Sequence, residues 1–291
     1  MTDGTIRTVD VVAADGVRLT ADVGGPESAP AVILLHGGGQ TRHSWSGAVR
    51  TLIDAGYRVI NFDARGHGDS AWSSAGAYDL DDRAADLKAI AALAGDRFVL
   101  VGASLGGATA IHAVAQGLRP RAIVLVDIVP HPERQGIDRI VGFMRRYPQG
   151  FGSIDEAADA VAAYNPDRPR PRDSIGLRRN LRDSEDGRLR WHWDPRIVES
   201  EPEKHHAVVQ QSTLALAALE HLPVLLVRGL HSDVVSDSGV VRFAGMVPRL
   251  DVVDVAQAGH MLVGDRNDHF NAAIVAYLHR HSPLETGGDP I

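Results

Sequence analysis

The chain has 291 residues, 44% of them hydrophobic and 23% charged, which suits one large or two average globular domains with a sizeable buried core. A formal net charge of −7 argues against a general nucleic-acid partner. Cysteine is absent, which excludes disulfides, thiolate metal sites and cysteine nucleophiles together and is compatible with a cytoplasmic setting.

The opening "MTDGTIRTVD" has no basic stretch followed by an apolar one, so no signal peptide is expected. The runs "IRTVDVVA" and "VRLTADV" flank Asp15-Gly16, the pattern of a β-hairpin with an Asp-Gly turn. Continuous apolar runs then recur at Ala31 to His36, Arg58 to Asp63, Arg97 to Ala103, Arg121 to Asp127 and Pro223 to Gly229. Unbroken Val, Ile and Leu without alternation is the signature of parallel strands buried on both faces. Stretches of helical spacing lie between the earlier ones, ending at or near Gly, as in "LDDRAADLKAIAALAG" and "LGGATAIHAVAQGL".

Phe98 to Ala115 is uncharged and long enough to span a bilayer, but Gly102, Ser104, Gly106 and Gly107 interrupt it. It reads as a strand followed by a helix, and no membrane association is expected. The βα rhythm stops after Asp127, and no strand is predicted from about His131 to Leu222. So long an interval is too big for a loop. Residues 131–220 are therefore expected to form an inserted, mainly helical cap on a core made of residues 1–130 and 221–291. Arginines and acidic residues interleave along it, which suits a solvated surface better than a phosphate-tracking one. The strand pattern resumes at Pro223, continues in "RLDVVDVA" and closes with a helix from about Asn267 to His281. The fold class is α/β, with helices on both faces of a mostly parallel twisted sheet.

The stretch "FVLVGASLGG" sets Ser104 in a G-x-S-x-G pattern between a buried strand and an apolar helix. Small residues often follow strands, so the pattern alone could be a bend. In this context it describes a sharp turn that lifts a serine hydroxyl off the sheet edge, with the helix N-terminus favouring negative charge. A serine needs a base. Of the 14 histidines, His260 in "AQAGHMLVGD" follows an apolar strand in a glycine-flanked loop. That places it at the carboxyl edge of the sheet, where open α/β sheets build their sites. A carboxylate must orient that histidine. Asp233, just past "PVLLV", is favoured; Asp127 competes for the role and Asp237 is a weaker alternative. In "LLHGGGQ", Gly38 N–H is expected to form an oxyanion hole with Leu105 N–H, Gly39 being the substitute. No H-E-x-x-H or Walker-type spacing appears, so neither metal nor cofactor is expected.

Taken together these residues resemble the α/β-hydrolase superfamily. The order Ser104, Asp233, His260 follows its nucleophile–acid–histidine order, and "NFDARGHGDSAW" is similar to its arginine- and glycine-rich loop. Within it the chain looks most like bacterial carboxylesterases and cofactor-free haloperoxidases (perhydrolases). The resemblance implies acyl transfer on a small-molecule ester, thioester or lactone. Carbon–carbon bond cleavage and perhydrolysis are alternatives on the same triad, and a small-ligand receptor with vestigial hydrolysis is the reading of another class. Epoxide hydrolases and haloalkane dehalogenases carry aspartate at the position of Ser104, which disfavours those reactions. Trp191 and Trp193 alternate in "RWHWDP" and would share a face of an extended segment, lining a substrate pocket or anchoring the insert. Met261 is a pocket candidate by position. Oligomeric state is left open.

Overall fold

The computed structural model describes residues 5–166, 170, 175–199, 202–256, 258–260 and 268–284. In chain order its strands and helices are β1 (Arg7–Val12), β2 (Arg18–Gly24), β3 (Ala31–Leu35), α1 (Ser46–Asp54), β4 (Arg58–Phe62), α2 (Leu80–Ala91), β5 (Phe98–Ala103), α3 (Leu105–Ala115) and β6 (Ile123–Val126). There follow α4 (Arg134–Arg145), α5 (Ile154–Tyr164), β7 (Leu181–Asp183), β8 (Leu189–Trp191), α6 (Pro202–Ala217), β9 (Val224–Gly229), α7 (Asp237–Met246), β10 (Leu250–Val255) and α8 (Asp268–His281).

The continuous apolar runs become the central strands of an eight-stranded sheet ordered β1-β2-β4-β3-β5-β6-β9-β10. From β4 to β10 the neighbours pair in parallel, while β1–β2 and β2–β4 are antiparallel. The predicted hairpin is β1–β2. Its Asp15 carboxylate accepts from Val17 N–H, and Gly16 takes a φ of 86°. Every residue of β3, β5, β6 and β9 is buried, because helices cover both faces. Ile33 and Leu35 join α2, α3, α6 and α7 on one face, whereas Val32 and Leu34 join α1 and α8 on the other. The period of two along each strand explains why these runs are apolar throughout.

Two features depart from the sequence expectation. First, α6 belongs with the sheet: Val209 and Leu216 are buried in the main core, and Ser212 Oγ bonds His112 of α3 at 2.8 Å. This helix lies within the stretch expected to form the cap, yet its buried face packs on the core. Second, that segment contains an antiparallel pair, β7–β8, which Phe151 extends by a bridge to Leu189. Three-residue strands bearing Arg182 and Arg190 are too short and too charged for a period-2 signal. The insert is built on its own aromatic cluster, including Phe143, Phe151, Trp191 and Trp193.

The turn from β5 into α3 is packed backbone against backbone. A Cβ on Gly106 would lie 2.5 Å from Leu35 O and 2.7 Å from His36 O, and one on Gly102 would lie 2.6 Å from Gly106 O. Backbone cannot retreat as a side chain can. Gly106→Ala is expected to lower stability by about 1–3 kcal/mol, read from the denaturation midpoint. Gly142→Ala, at an α4 position with no heavy atom within 4 Å, should leave stability unchanged or raise it by about 0.5–1 kcal/mol.

Candidate active site

Ser104 follows directly on β5 with φ 46° and ψ −115°. Asp127, the residue after β6, has φ 49°, and among the described residues these two are the non-glycine positions with positive φ. Side chains rarely adopt such conformations, which cost on the order of 1–3 kcal/mol each. The sheet holds both: Ser104 N–H donates to Val126 O at 2.9 Å and Asp127 N–H to Val227 O at 2.8 Å. Both strained residues therefore sit at the carboxyl edge of adjacent strands.

Asp127 is 1% exposed. Its Oδ1 accepts from Gly229 N–H at 3.1 Å, and its Oδ2 accepts from Ser232 Oγ at 2.5 Å. Nδ1 of His260 lies 2.6 Å from the same Oδ2. The carboxylate on His260 is thus Asp127, and the expectation of Asp233 is corrected. The Asp233 carboxylate turns outward to Arg139 of α4 at 2.9 Å, and its side chain is 37% exposed. Its backbone is covered by α4, where a Cβ on Gly136 would lie 2.3 Å from Asp233 O. Asp237 lies at the start of α7, 90% exposed and paired with Arg228.

In the loop after β3, Gly37 N–H donates to Gln40 Oε1 at 3.0 Å and Gly39 N–H to His67 Nε2 at 3.2 Å. Gly39 is therefore no substitute oxyanion donor. No described group accepts from Gly38 N–H, and Leu105 N–H is the first of α3, beyond reach of any intrahelical carbonyl. A Cβ on Gly38 would lie 3.7 Å from the Leu105 side chain, so the two residues are neighbours.

Ser104, Leu105, His260 and the glycine loop line a cavity of about 670 Å³, walled mainly by apolar side chains from α4, α5, α6 and the insert. Trp191 and Trp193 both line it, stacked with centroids 4.9 Å apart and planes 13° from parallel. They also pack in the insert's aromatic cluster, so the same two rings form cavity wall and insert core. Met261 lies outside the described residues. Among the described residues, no group of His, Asp and Glu is arranged to hold a metal ion, and no helix is long and apolar enough to cross a membrane.

The sequence profile of the alpha/beta hydrolase fold family matches residues 30–266. The chain belongs to the α/β-hydrolase family. Over 249 residues it is 29% identical to the esterase Rv0045c of Mycobacterium tuberculosis, a match covering 82% of this chain and 79% of that protein. An α/β hydrolase from Novosphingobium aromaticivorans is 27% identical and superposes with a TM-score of 0.78, over 94% of this chain and 98% of that one. Epoxide hydrolase A of M. tuberculosis is 34% identical over 181 residues, 60% of this chain and 55% of that enzyme. The protein is an enzyme of the hydrolase class that these relatives share.

The hydrolase also contains a set of residues that the sequence reading passed over. His36, His67 and His192 are all buried, with ring centroids 5.0 Å apart for His36–His67 and 5.8 Å for His67–His192. Each accepts from one backbone N–H and donates to one carbonyl. His36 Nε2 accepts from Ala64 N–H at 3.0 Å, and its Nδ1–H donates to Gly37 O at 2.8 Å. His67 Nε2 accepts from Gly39 N–H, and its Nδ1–H donates to Arg65 O at 3.1 Å. His192, from the insert, accepts at Nδ1 from Gly68 N–H at 2.7 Å and donates from Nε2 to Gly39 O at 3.3 Å. The glycine loop is thus held by imidazoles from three segments. His36 and His67 flank glycine in "HGGG" and "RGHG", whereas His192 in "WHWD" has no glycine beside it, so only the tertiary fold brings the three together.

This arrangement requires neutral rings. Burial holds His36 and His67 below the ordinary imidazole range, and it holds His192 down at about 3. The Arg83 charge acts in the same direction on His36 and His67, and Arg182 does so on His192; Asp63 opposes at His36 and Asp69 at His192. The unfolded chain takes up protons near pH 6.5 that the native state refuses. This contribution is therefore complete above that pH and is lost as pH falls below it, by up to about 1.4 kcal/mol per pH unit for each histidine. Urea midpoints measured from pH 7.5 to 5 should fall steadily. His192→Gln should flatten that slope by about one proton, and an unchanged slope would contradict the assignment.

Proposed function

We propose that the protein is a serine hydrolase that cleaves an ester-type bond of a small molecule through an acyl-enzyme. Ser104 is the nucleophile, His260 the base and Asp127 its acid. The observation that carries this reading is the 2.6 Å contact of His260 Nδ1 with buried Asp127, in a cavity whose wall includes a serine on a strained strand-to-helix turn. Fixing the proton on Nδ1 leaves Nε2 as the basic nitrogen.

In the forward step Nε2 takes the Ser104 hydroxyl proton as Oγ attacks the acyl carbonyl. The negative charge that develops on the carbonyl oxygen is met by Gly38 N–H and Leu105 N–H. The positive end of α3 adds to that field. Collapse breaks the bond to the leaving group, which receives the proton from His260. Water then enters, gives its proton to Nε2, attacks the acyl carbon and releases the acid with Ser104 restored.

Support for an ester-type substrate comes from the 29% identity to an esterase over four-fifths of the chain, and from serine rather than aspartate at the nucleophile position. The bracing of Gly37 and Gly39 by His36, His67 and His192 supports an oxyanion role for Gly38 between them. A peptide fixed on both sides does not have to reorganise when charge develops, which is where such donors act. The insert roofs the cavity with its aromatic cluster and so acts as the cap.

Exchanging the two candidate acids separates this reading from the one expected from sequence. Asp127→Asn should cost about 10³–10⁴ in kcat on p-nitrophenyl esters, because the amide favours the wrong imidazole tautomer. Asp233→Asn loses a half-exposed ion pair and should stay within about threefold. The opposite ranking would return the role to Asp233.

A further inference from the structure

The insert is rich in arginine, and its guanidinium groups are almost all committed. Arg178 pairs with Asp183 and donates to Leu181 O at 2.8 Å. Arg190 pairs with Asp186 at 2.7 Å, and Arg196 pairs with Asp194 at 2.6 Å. Arg179 differs from these neighbours. It lines the cavity that contains Ser104, and among the described residues its guanidinium has no hydrogen-bond or ion-pair partner.

The described walls of the cavity offer it no counter-ion. Asp127 is the one carboxylate among the described lining residues, and its oxygens are occupied by Gly229, Ser232 and His260. His43 lines the same cavity and lies near enough to feel the Arg179 charge. Elsewhere the walls are largely aliphatic and aromatic. A largely apolar chamber with an exposed arginine on its wall, unpaired among the described residues, in a chain of formal charge −7, is matched by a ligand with an apolar body and one anionic end.

We propose that Arg179, with His43 beside it, forms an anion subsite, and that the substrate is an ester bearing a free carboxylate remote from the scissile bond. This deepens the serine-hydrolase reading and rests on it for the word substrate; the subsite itself does not depend on turnover. Arg179 suits this role because a guanidinium can grip both carboxylate oxygens at once. An acidic protein that otherwise repels anions gains selectivity by leaving one cation unpaired where the anion should go.

Two measurements test it. In the first, kcat/KM is compared between p-nitrophenyl hydrogen adipate and p-nitrophenyl hexanoate, and between 4-carboxyphenyl hexanoate and phenyl hexanoate, so that the carboxylate is carried on the acyl or the leaving side. The wild type should favour the anionic member of one pair by about tenfold at low salt. The ratio should fall to about one in Arg179→Gln and invert in Arg179→Glu. In the second, calorimetry compares hexanoate with its neutral isostere hexanamide, binding to the wild type and to Arg179→Gln. Hexanoate should bind about tenfold tighter, and only in the wild type. Equal binding of the two, or a preference that survives Arg179→Gln, overturns the subsite. Loss of all ester turnover with the hexanoate preference intact would instead overturn the hydrolase reading and leave the subsite standing.

Discussion

Three donors converge on the carboxylate of Asp127: the Gly229 amide, the Ser232 hydroxyl and the His260 imidazole. Much of the site depends on that convergence. A buried carboxylate is costly unless its lone pairs are filled, and here they are filled by groups from the ends of two other chain segments. The carboxylate therefore ties β6 to the loops after β9 and β10 and fixes where the histidine stands. Its own backbone pays in strain, with φ 49°. That cost persists only because the sheet and these hydrogen bonds over-determine the position.

Ser104 is held by the opposite means. Among the described residues no side-chain bond sets its place; its backbone bond to Val126 O and steric exclusion do. Gly102 and Gly106 allow β5, α3 and the end of β3 to approach so closely that a single added methyl would meet backbone. Opposite it, the glycine loop gets its rigidity from His36, His67 and His192. The last of these comes from the insert, so the roof over the cavity also braces its floor. An insert that moved away would release Gly39 O and Gly68 N–H together.

The sequence was most legible where sterics or apolar patterning alone decide. The strand runs, the Asp-Gly hairpin and the serine turn carry local signals, because burial on both faces and close backbone approach leave few residue choices. The acid was less legible for a physical reason. Asp127 and Asp233 both follow buried strands, and the order of residues along the chain does not say which strand end faces His260. What separates them is Arg139 on α4, which draws the Asp233 carboxylate outward; no nearby spacing encodes that contact. The histidine brace was hidden in the same way, its members lying more than 120 positions apart in the pair Gly68–His192. The packing of α6 on the core was not legible either, because a helix pattern does not name its partner.

The central claim is that Ser104 is the nucleophile that the strained turn, Asp127 and His260 serve. The most direct measurement is labelling of the intact protein with a fluorophosphonate probe, followed by peptide mapping of the adduct. A single phosphonylated site at Ser104, absent from Ser104→Ala, is the predicted result. Label on any other residue, or none on a folded protein at neutral pH, would contradict it.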